Sequence, residues 1–369
     1  MKKKVLFVLA IICLVTLIAP LLFSSCSSQP SSPAPSASPS AAPAAKSSPA
    51  ATGASKPPTT IRLNGLTIGS SPYLMSHALG EIINKNSSWL KVDVLEGMSS
   101  SANLAILQEK PERRADTIVF STSISNGDAR VGRAPFKQPY AGARLLATFA
   151  SNPFGLYTTN PAIKTVADMK GHTAHFGPRG STPATLFAKL VEVEGIADQV
   201  KTSYGSWETM KDSIINGTSE IGPASAVGYV GIGFAPSPNF MEPYTARKLT
   251  FVNFTKEQAD KTTKALSYNE VVYTQIPAGA VFKDQPGFPA FTWDTGWWAD
   301  ETLNADVAAE IARICTENIN LFGNYHEIGK YMRPENIAWA PIPPDLVHPG
   351  ALKYYRDHKI PVANEAKGS

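Results

Sequence analysis

The sequence predicts an α/β fold divided between two lobes, and three observations lead to this expectation. From Thr60 onward, strand patterns alternate with helix patterns, which is typical of α/β proteins with mostly parallel sheets. A body of about 310 residues is larger than one hydrophobic core usually supports. Two similar helix starts, G-S-S-P-Y-L-M at 69–75 and G-S-T-P-A-T-L at 180–186, lie in different halves of this body.

The elements follow in order along the chain. Strand patterns cover T-I-R-L-N-G-L-T-I (60–68), W-L-K-V-D-V-L-E (89–96), A-D-T-I-V-F-S-T (115–122), A-R-L-L-A-T-F-A (143–150), F-G-L-Y-T-T-N (154–160), the region around 172–176 and T-S-E-I-G-P-A-S (218–225). Helix patterns cover 72–86, a segment starting near Ser100, a segment starting at Ser181, and W-E-T-M-K-D-S-I-I-N-G (207–217). In the first of these helices, Leu74, Ala78, Leu79, Ile82 and Ile83 form one apolar face.

The N-terminal segment indicates export and membrane anchoring. M-K-K-K followed by a long apolar run has the form of a secretory signal peptide, predicted at 1–25. The run ends in F-S-S-C-S-S, which resembles a bacterial lipobox, so Cys26 is the predicted lipidation site; a plain signal peptide or an uncleaved anchor is the alternative. Residues 26–59 then contain little but Pro, Ala and Ser, which predicts a disordered tether and an extracytoplasmic body.

Composition restricts the classes of function. The chain has 34 Lys and Arg against 30 Asp and Glu, and without Lys2, Lys3 and Lys4 the balance is 31 to 30. A near-neutral body argues against a nucleic-acid partner. Of the three cysteines, only Cys315 lies in the body, where its helical context predicts a buried side chain and no intrachain disulfide. No metal-ligand spacing, cofactor motif or catalytic residue is predicted.

The two similar turns are the main candidates for binding. Hydroxyl side chains cap helix N-termini, and Pro is favoured at the first helical position. A helix start with free N–H groups attracts carboxylates and phosphates. I-G-S-S-P (68–72) and F-G-P-R-G-S-T-P (176–183) both follow predicted strands. If each belongs to one lobe, the two could hold a small anion from opposite sides; ordinary capped helices are the alternative for each turn alone.

Several stretches together resemble the TAXI-type solute receptors of TRAP transporters. These stretches are I-G-S-S-P-Y-L-M-S-H-A-L-G-E-I-I-N-K (68–85), E-G-M-S-S-S-A-N-L (96–104), V-A-D-M-K-G-H-T-A-H-F-G-P-R-G-S (166–181), Y-T-Q-I-P-A-G-A-V-F-K-D-Q (273–285) and H-P-G-A-L-K-Y-Y-R (348–356). The resemblance extends over nearly the whole body and rests on the order and spacing of these motifs. It implies a hinged, two-lobed periplasmic binding protein of type II-like fold, with its ligand in the cleft between the lobes.

The resemblance also implies domain boundaries, partners and an absence of catalysis. Residues 60–153 and 287–369 would form the first lobe, and 154–286 the second. The receptor would pass a small organic anion to the membrane subunits of the transporter. Ala102 stands where the family usually has Glu, which removes a natural partner for a ligand ammonium and favours a carboxylate without an amine.

The predicted ligand-binding residues come from these loops and strand ends. They are Ser70, Ser71, Tyr73, Ser100, Asn103, Ser123, Arg179, Gly180, Ser181, Thr182 and Ser225. Arg179 is the main charged candidate because a guanidinium matches a carboxylate in a bidentate geometry; a solvent-facing role is its alternative. Tyr73 could contact the ligand or pack at the helix base. W-D-T-G-W-W-A-D (293–300) could line a pocket, although packing at the hinge or in the core is the favoured interpretation.

Two other receptor functions remain open at this stage. A substrate-binding protein of an ABC importer would share the two-lobed architecture, and so would a receptor that signals to a membrane sensor kinase. An enzyme is disfavoured because no G-x-S-x-G elbow occurs and because His172 and His175 would point to opposite faces of a strand.

Overall fold

The computed structural model describes residues 56–366. The predicted signal peptide, Cys26 and residues 27–55 of the predicted tether lie outside this part of the chain. The strands are β1 (Thr59–Asn64), β2 (Leu90–Leu95), β3 (Thr117–Ser121), β4 (Ala143–Thr158), β5 (Thr173–His175), β6 (Lys201–Ser203), β7 (Ile221–Tyr229), β8 (Gly233–Pro236), β9 (Thr250–Val252), β10 (Val272–Ile276) and β11 (Phe288–Asp300). The α-helices are α1 (Ser71–Asn86), α2 (Ser100–Glu109), α3 (Ser123–Val131), α4 (Thr182–Val193), α5 (Trp207–Ile215), α6 (Pro238–Ala246), α7 (Lys256–Leu266), α8 (Ala305–Glu317) and α9 (Pro349–Asp357).

The strands form one hydrogen-bonded series, which confirms the α/β class. The order is β2-β1-β3-β11-β4-β7-β5-β6, with β10 on β11, β8 on β7 and β9 on β4. Pairing is parallel within β2-β1-β3 and within β7-β5-β6. The long strands β4 and β11 are antiparallel to each other and to their neighbours β7 and β3. The two parallel groups therefore share one sheet instead of forming separate sheets, because β4 and β11 extend through both.

Strand β4 corrects the expectation of two strands at 143–150 and 154–160. The sequence S-N-P at 151–153 has the composition of a turn, but the backbone continues as one strand of 16 residues. Its partner β11 has 13 residues, all of them buried, and pairs with β4 on both sides of this point. Pro153 lies opposite Thr292 within this ladder. The extended pairing overrides the local turn preference.

The buried apolar side chains fall mainly into two regions. One large cluster draws on residues between Ile61 and Ala150 and again from Trp297 to Ala363. Two further clusters draw almost entirely on residues between Phe154 and Trp293. This division supports two lobes and places the change of core inside β4 and β11. In β11 the change lies several residues after the predicted boundary at 287, and the exact lobe boundaries stay a prediction.

The strand registers orient the two parallel groups toward each other. Ser121, at the carboxyl end of β3, pairs with Gly296 near the middle of β11, whereas Ile118 pairs with Ala299 near its end. Gly228, near the carboxyl end of β7, pairs with Ser151 near the middle of β4. Strands β1 and β5 run parallel to β3 and β7. The carboxyl ends of both groups therefore point toward the region between the lobes.

Most of the side-chain expectations for packing are confirmed. Ala78, Leu79, Ile82 and Ile83 are buried on α1, and Cys315 is a buried free cysteine. Trp297 and Trp298 are fully buried in β11, as expected for core packing. Leu74 is the exception because it remains exposed in the first turn of α1. Within residues 56–366, no helix is both long enough and apolar enough to cross a membrane.

Candidate functional site

Five helices begin at the facing edges of the two lobes, and each has a hydroxyl residue as its N-cap. Helices α1, α2 and α3 follow β1, β2 and β3, whereas α4 and α5 follow β5 and β6. The capping residues are Ser70, Ser99, Thr122, Ser181 and Ser206, and each side chain accepts a hydrogen bond from a backbone N–H in the first turn. The positive ends of these helices therefore point toward the region between the lobes.

The turn before α1 uses its serine hydroxyl locally. Ser70 Oγ donates to the carbonyl of Thr67 at 2.7 Å and accepts from the backbone N–H of Tyr73 at 3.3 Å. Ser71 is the first helical residue. The Tyr73 ring packs against the His77 ring with a centroid distance of 4.4 Å, so packing at the helix base accounts for part of its role.

The turn before α4 has the same form with a charged side chain added. Ser181 Oγ accepts from the N–H of Ala184 at 3.4 Å, and Thr182 begins the helix. Gly180 has φ +80°, a conformation that favours glycine, and its α-carbon faces open space. Arg179 is exposed, and its guanidinium carbon lies 4.2 Å from the centroid of the Tyr204 ring. The stack orients Arg179 at this edge of the second lobe.

An open cavity of about 250 Å³ lies beside this stack. Arg179, Gly180, Tyr204 and Leu266 contribute to its wall together with one side of α4. Its volume is just below the range of about 300–1,000 Å³ that is usual for small-molecule sites. Together with the helix start, it gives the second lobe a cationic concave edge.

Two predicted residues of the first lobe brace its loops. The Asn103 amide donates to the carbonyl of Gly65 at 2.6 Å and to that of Phe120 at 3.2 Å, and the side chain is buried. Ser100 Oγ accepts from Ser125 Oγ at 2.9 Å. The Asn103 bonds connect α2 to the segment after β1 and to β3, and the Ser100 bond connects α2 to α3, so both residues hold the edge of the lobe in shape.

Asp294 is a residue of this region that the sequence analysis did not select. It lies in β11 between the two lobes and is fully buried. Its Oδ1 accepts from the backbone N–H of Ser123 at 3.0 Å, whereas its Oδ2 has no hydrogen-bond partner among the described residues. Burial raises the pKa of the carboxyl to about 6, and hydrogen bonding to Ser123 offsets part of that rise. A single acid in the apolar run W-D-T-G-W-W was the signal that could have identified it.

Ser123 and Ser225 lie deeper than the two turns. The Ser123 hydroxyl donates to the carbonyl of Glu270 at 3.4 Å, and Ser123 itself is fully buried. The Ser225 hydroxyl is hydrogen-bonded to that of Ser237. Both hydroxyl groups therefore already have hydrogen-bond partners within the protein.

The lobes also contact each other at the far end of α3. Arg133 Nη2 donates to the carbonyl of Leu266 at 3.1 Å, and its guanidinium carbon lies 5.1 Å from the centroid of the Tyr268 ring. Arg133 also forms an ion pair with Asp128. Leu266 and Tyr268 pack against the core of the second lobe. We call Arg133, Leu266 and Tyr268 the α3 clasp.

The arrangement therefore brings together some of the predicted residues but not all. The α2 and α3 residues are connected to one another, and Ser123 contacts Asp294. Within the described chain, no hydrogen bond joins Ser70 or Ser71 to Gly180 or Ser181. The strand registers direct both turns toward the region between the lobes, but no hydrogen bond joins the two turns in the described chain. Among residues 56–366 there is no cluster of His, Cys, Asp and Glu that could hold a metal ion.

Comparison with known proteins identifies a family. The model described as NMT1-like family matches residues 66–358, which is more than half of the chain. The chain therefore belongs to the NMT1-like family. A search among curated proteins finds no significant match.

Solved structures give more distant similarities. A TctC solute binding protein from Polaromonas has 13% identity and a TM-score of 0.47, over 75% of this chain and 88% of that one. The putative periplasmic sulfonate-binding protein SsuA from Methylobacillus flagellatus has 13% identity and a TM-score of 0.45, over 72% and 69%. MatC from Rhodopseudomonas palustris, with bound malate, has 10% identity and a TM-score of 0.45, over 74% and 90%.

Proposed function

We propose that this NMT1-like family member is an extracytoplasmic solute receptor that binds a small organic anion between its two lobes and performs no catalysis. The observation that carries the proposal is the orientation of the five hydroxyl-capped helix starts toward the inter-lobe region. Backbone N–H groups at such positions bind anions without a metal or a cofactor. We propose a carboxylate as the anion because a carboxylate pairs with a guanidinium in a bidentate geometry.

Arg179 supplies the charge in this proposal. Its guanidinium face rests on Tyr204, which leaves its N–H edges available for a carboxylate. The backbone N–H groups near Gly180 and Ser181 lie at the same helix start, while Ser70 and Ser71 are the counterparts in the first lobe. The proposed contacts from Ser70 and Ser181 are mainly from the backbone, since both side chains already cap helices.

The test begins with a thermal-shift screen of the body against carboxylates, amino acids and sulfonates. Any hit is then measured by calorimetry on the parent and on Arg179→Ala. A charged hydrogen bond contributes about 1.5–3 kcal/mol, so Arg179→Ala should weaken binding by about 10- to 150-fold. Arg247→Ala is the control because Arg247 is also exposed, at the end of α6. Equal binding by parent and Arg179→Ala would assign Arg179 to the solvent-facing surface.

We further propose delivery to the membrane subunits of a TRAP-type transporter. The order and spacing of the TAXI-like motifs support this type, while an ABC importer and a sensor kinase remain the alternative partners. Uptake into vesicles that contain the permease encoded next to the receptor gene distinguishes the two kinds of transporter. Dependence on an ion gradient would support the TRAP type, and dependence on ATP would contradict it.

We also propose that a lipid on Cys26 anchors the receptor, on the basis of the signal-like start and the lipobox-like sequence. Mass spectrometry of the mature protein should find acylated Cys26 as the first residue. Cys26→Ser should abolish the modification and release the protein from membranes. A mature chain that begins elsewhere, or an unmodified Cys26, would contradict the anchor but not the receptor.

A further inference from the structure

Exposed apolar side chains are concentrated at the facing edge of the first lobe. Seven large hydrophobic residues are exposed in the described chain, and four of them lie at the end of β2 or in the segments after β1 and β2: Ile68, Leu74, Leu95 and Met98. Ile68 and Met98 are 67% and 75% exposed, more than any other of the seven. The two loops touch, since the Ile68 N–H donates to Glu96 Oε1 at 3.1 Å and the Gly97 N–H donates to the Leu66 carbonyl at 3.3 Å. We call these four residues the apolar rim.

The topology places the apolar rim and the Arg179–Tyr204 stack on different lobes, both bordering the region between them. In the first lobe, β1 is next to the edge strand β2; in the second lobe, β5 is next to the edge strand β6. Because the carboxyl ends of both groups point toward the region between the lobes, the loops after β1 and β2 and the loops after β5 and β6 all border that region. Ile68 and Met98 belong to the two first-lobe loops, and Arg179 and Tyr204 belong to the two second-lobe loops.

The charges on the two edges differ in a way that restricts the ligand. Residues 64–76 and 92–109 contain no Lys or Arg, and Glu96 adds a negative charge there. The second-lobe edge carries Arg179, whose guanidinium makes no hydrogen bond or ion pair within residues 56–366. A second carboxylate on the ligand would therefore lie beside Glu96 and apolar groups with only helix-start N–H groups, and no Lys or Arg side chain, as partners, which is less favourable than the position at Arg179.

We propose that the ligand is a monocarboxylate with an apolar body. This inference rests on the proposed function and specifies its substrate class. The carboxylate binds at Arg179 and the start of α4, and the hydrocarbon part lies between the Tyr204 ring and the apolar rim. Such a ligand removes the exposed apolar surface from water when the lobes close. It also accounts for the large exposed apolar side chains on the first-lobe edge.

Calorimetry with matched six-carbon acids tests the inference. Hexanoate should bind at least about tenfold more tightly than adipate, which has the same chain length and a second carboxylate. Along the series from acetate to hexanoate, affinity should rise by up to about fourfold for each methylene that becomes buried. Met98→Ser should weaken hexanoate binding by about 3- to 10-fold and reduce the gain in affinity per methylene along the series. Leu321→Ser, at another exposed apolar residue of the first lobe, should change neither the affinity for hexanoate nor the gain per methylene.

The outcomes separate this inference from the function on which it rests. Tighter binding of adipate than hexanoate would overturn the apolar-body inference and leave the carboxylate receptor in place. Unchanged hexanoate binding by Met98→Ser would also overturn it. If Met98→Ser reduced uptake by the membrane subunits with hexanoate binding unchanged, the apolar rim would be a docking surface and the inference would be wrong. Failure of every carboxylate to bind would instead contradict the proposed anion receptor.

Discussion

Asp294 shows how a single residue can influence the region between the lobes. Its carboxyl lies inside the protein, where ionisation is costly because water cannot solvate the charge. The N–H of Ser123, at the start of α3, provides one partner on one oxygen. The pKa of Tyr229 is raised chiefly by burial and further by the charge of Asp294. Asp294 therefore destabilises the fold whenever it is ionised.

Asp294→Asn should make stability less dependent on pH. The pKa of Asp294 is about 6 in the folded protein against an ordinary value of 3.8, so the penalty is absent below about pH 4, grows as pH rises and is complete above about pH 6. Relative to the parent, the Asn variant should gain about 3 kcal/mol in unfolding free energy between about pH 4 and pH 7. Urea unfolding across this range measures the difference.

Asn suits this test because its side-chain oxygen can still accept from Ser123. Asp93→Asn, at an exposed residue of β2, is the control, and its difference from the parent in unfolding free energy should be the same across this pH range. A difference for Asp294→Asn that does not change with pH would mean that the carboxyl does not titrate within this window. A difference that falls as pH rises would mean that the ionised form is the one the fold stabilises.

At the scale of elements, the helix starts were predictable and the crossing strands were not. Pro72 and Pro183, with hydroxyl residues before them, specify helix starts within a few residues, and α1 and α4 begin accordingly. The extent of β4 depends on β11, which lies more than a hundred residues later, so the local sequence S-N-P predicted a break instead. Arg179 was selected for its type, but its stacking on Tyr204 depends on the fold.

Ser181→Ala should destabilise the protein by about 1 kcal/mol through loss of the α4 cap. The hydroxyl accepts from the Ala184 N–H, and Ala leaves that donor without a side-chain partner. Urea unfolding measures the loss, and Ser181→Asn should restore most of the stability because Asn is also a good cap. Full stability in Ser181→Ala would show that solvent satisfies this helix start equally well.

Gly296→Ala should be more damaging because it affects the contact between the two crossing strands. An added Cβ at Gly296 would lie 2.5 Å from the carbonyl oxygen of Ala147 in β4, next to a register shift between Thr295 and Gly296. Backbone atoms cannot move aside cheaply, so we expect a loss of about 1–3 kcal/mol. Gly323→Ala is the control because its Cβ would lie 3.3 Å from the flexible Lys330 side chain and no closer than 3.6 Å to backbone atoms. Thermal unfolding of both variants checks the order of their stabilities.

At the scale of the whole molecule, the lobes are connected in two ways. Strands β4 and β11 provide the covalent crossing, and the α3 clasp provides contacts that can separate without breaking either strand. Around the clasp, burial raises the pKa of both Asp128 and Glu270. Gly127 lets the Glu270 carboxylate approach α3, since a Cβ there would lie 2.6 Å from Glu270 Oε2. The clasp is therefore a close contact between α3 and the segment that follows α7.

Arg133→Gln should shift the ligand-free protein toward a more open arrangement. The change removes the charge, the stacking on Tyr268 and the ion pair with Asp128, all of which require the guanidinium. The hydrogen bond to the Leu266 carbonyl joins the two lobes directly, so its loss lowers the free energy of opening by about 1.5–3 kcal/mol if the bond is fully charge-assisted.

Small-angle scattering should show a larger radius of gyration for Arg133→Gln than for the parent. Arg247→Gln makes the same change at an exposed residue at the end of α6, outside the clasp, and should scatter like the parent. Because closing would then cost more, Arg133→Gln should also bind a closing ligand more weakly, with faster dissociation. Scattering and ligand affinity that both match the parent would mean that β4 and β11 alone set the position of the lobes and that the α3 clasp merely follows it.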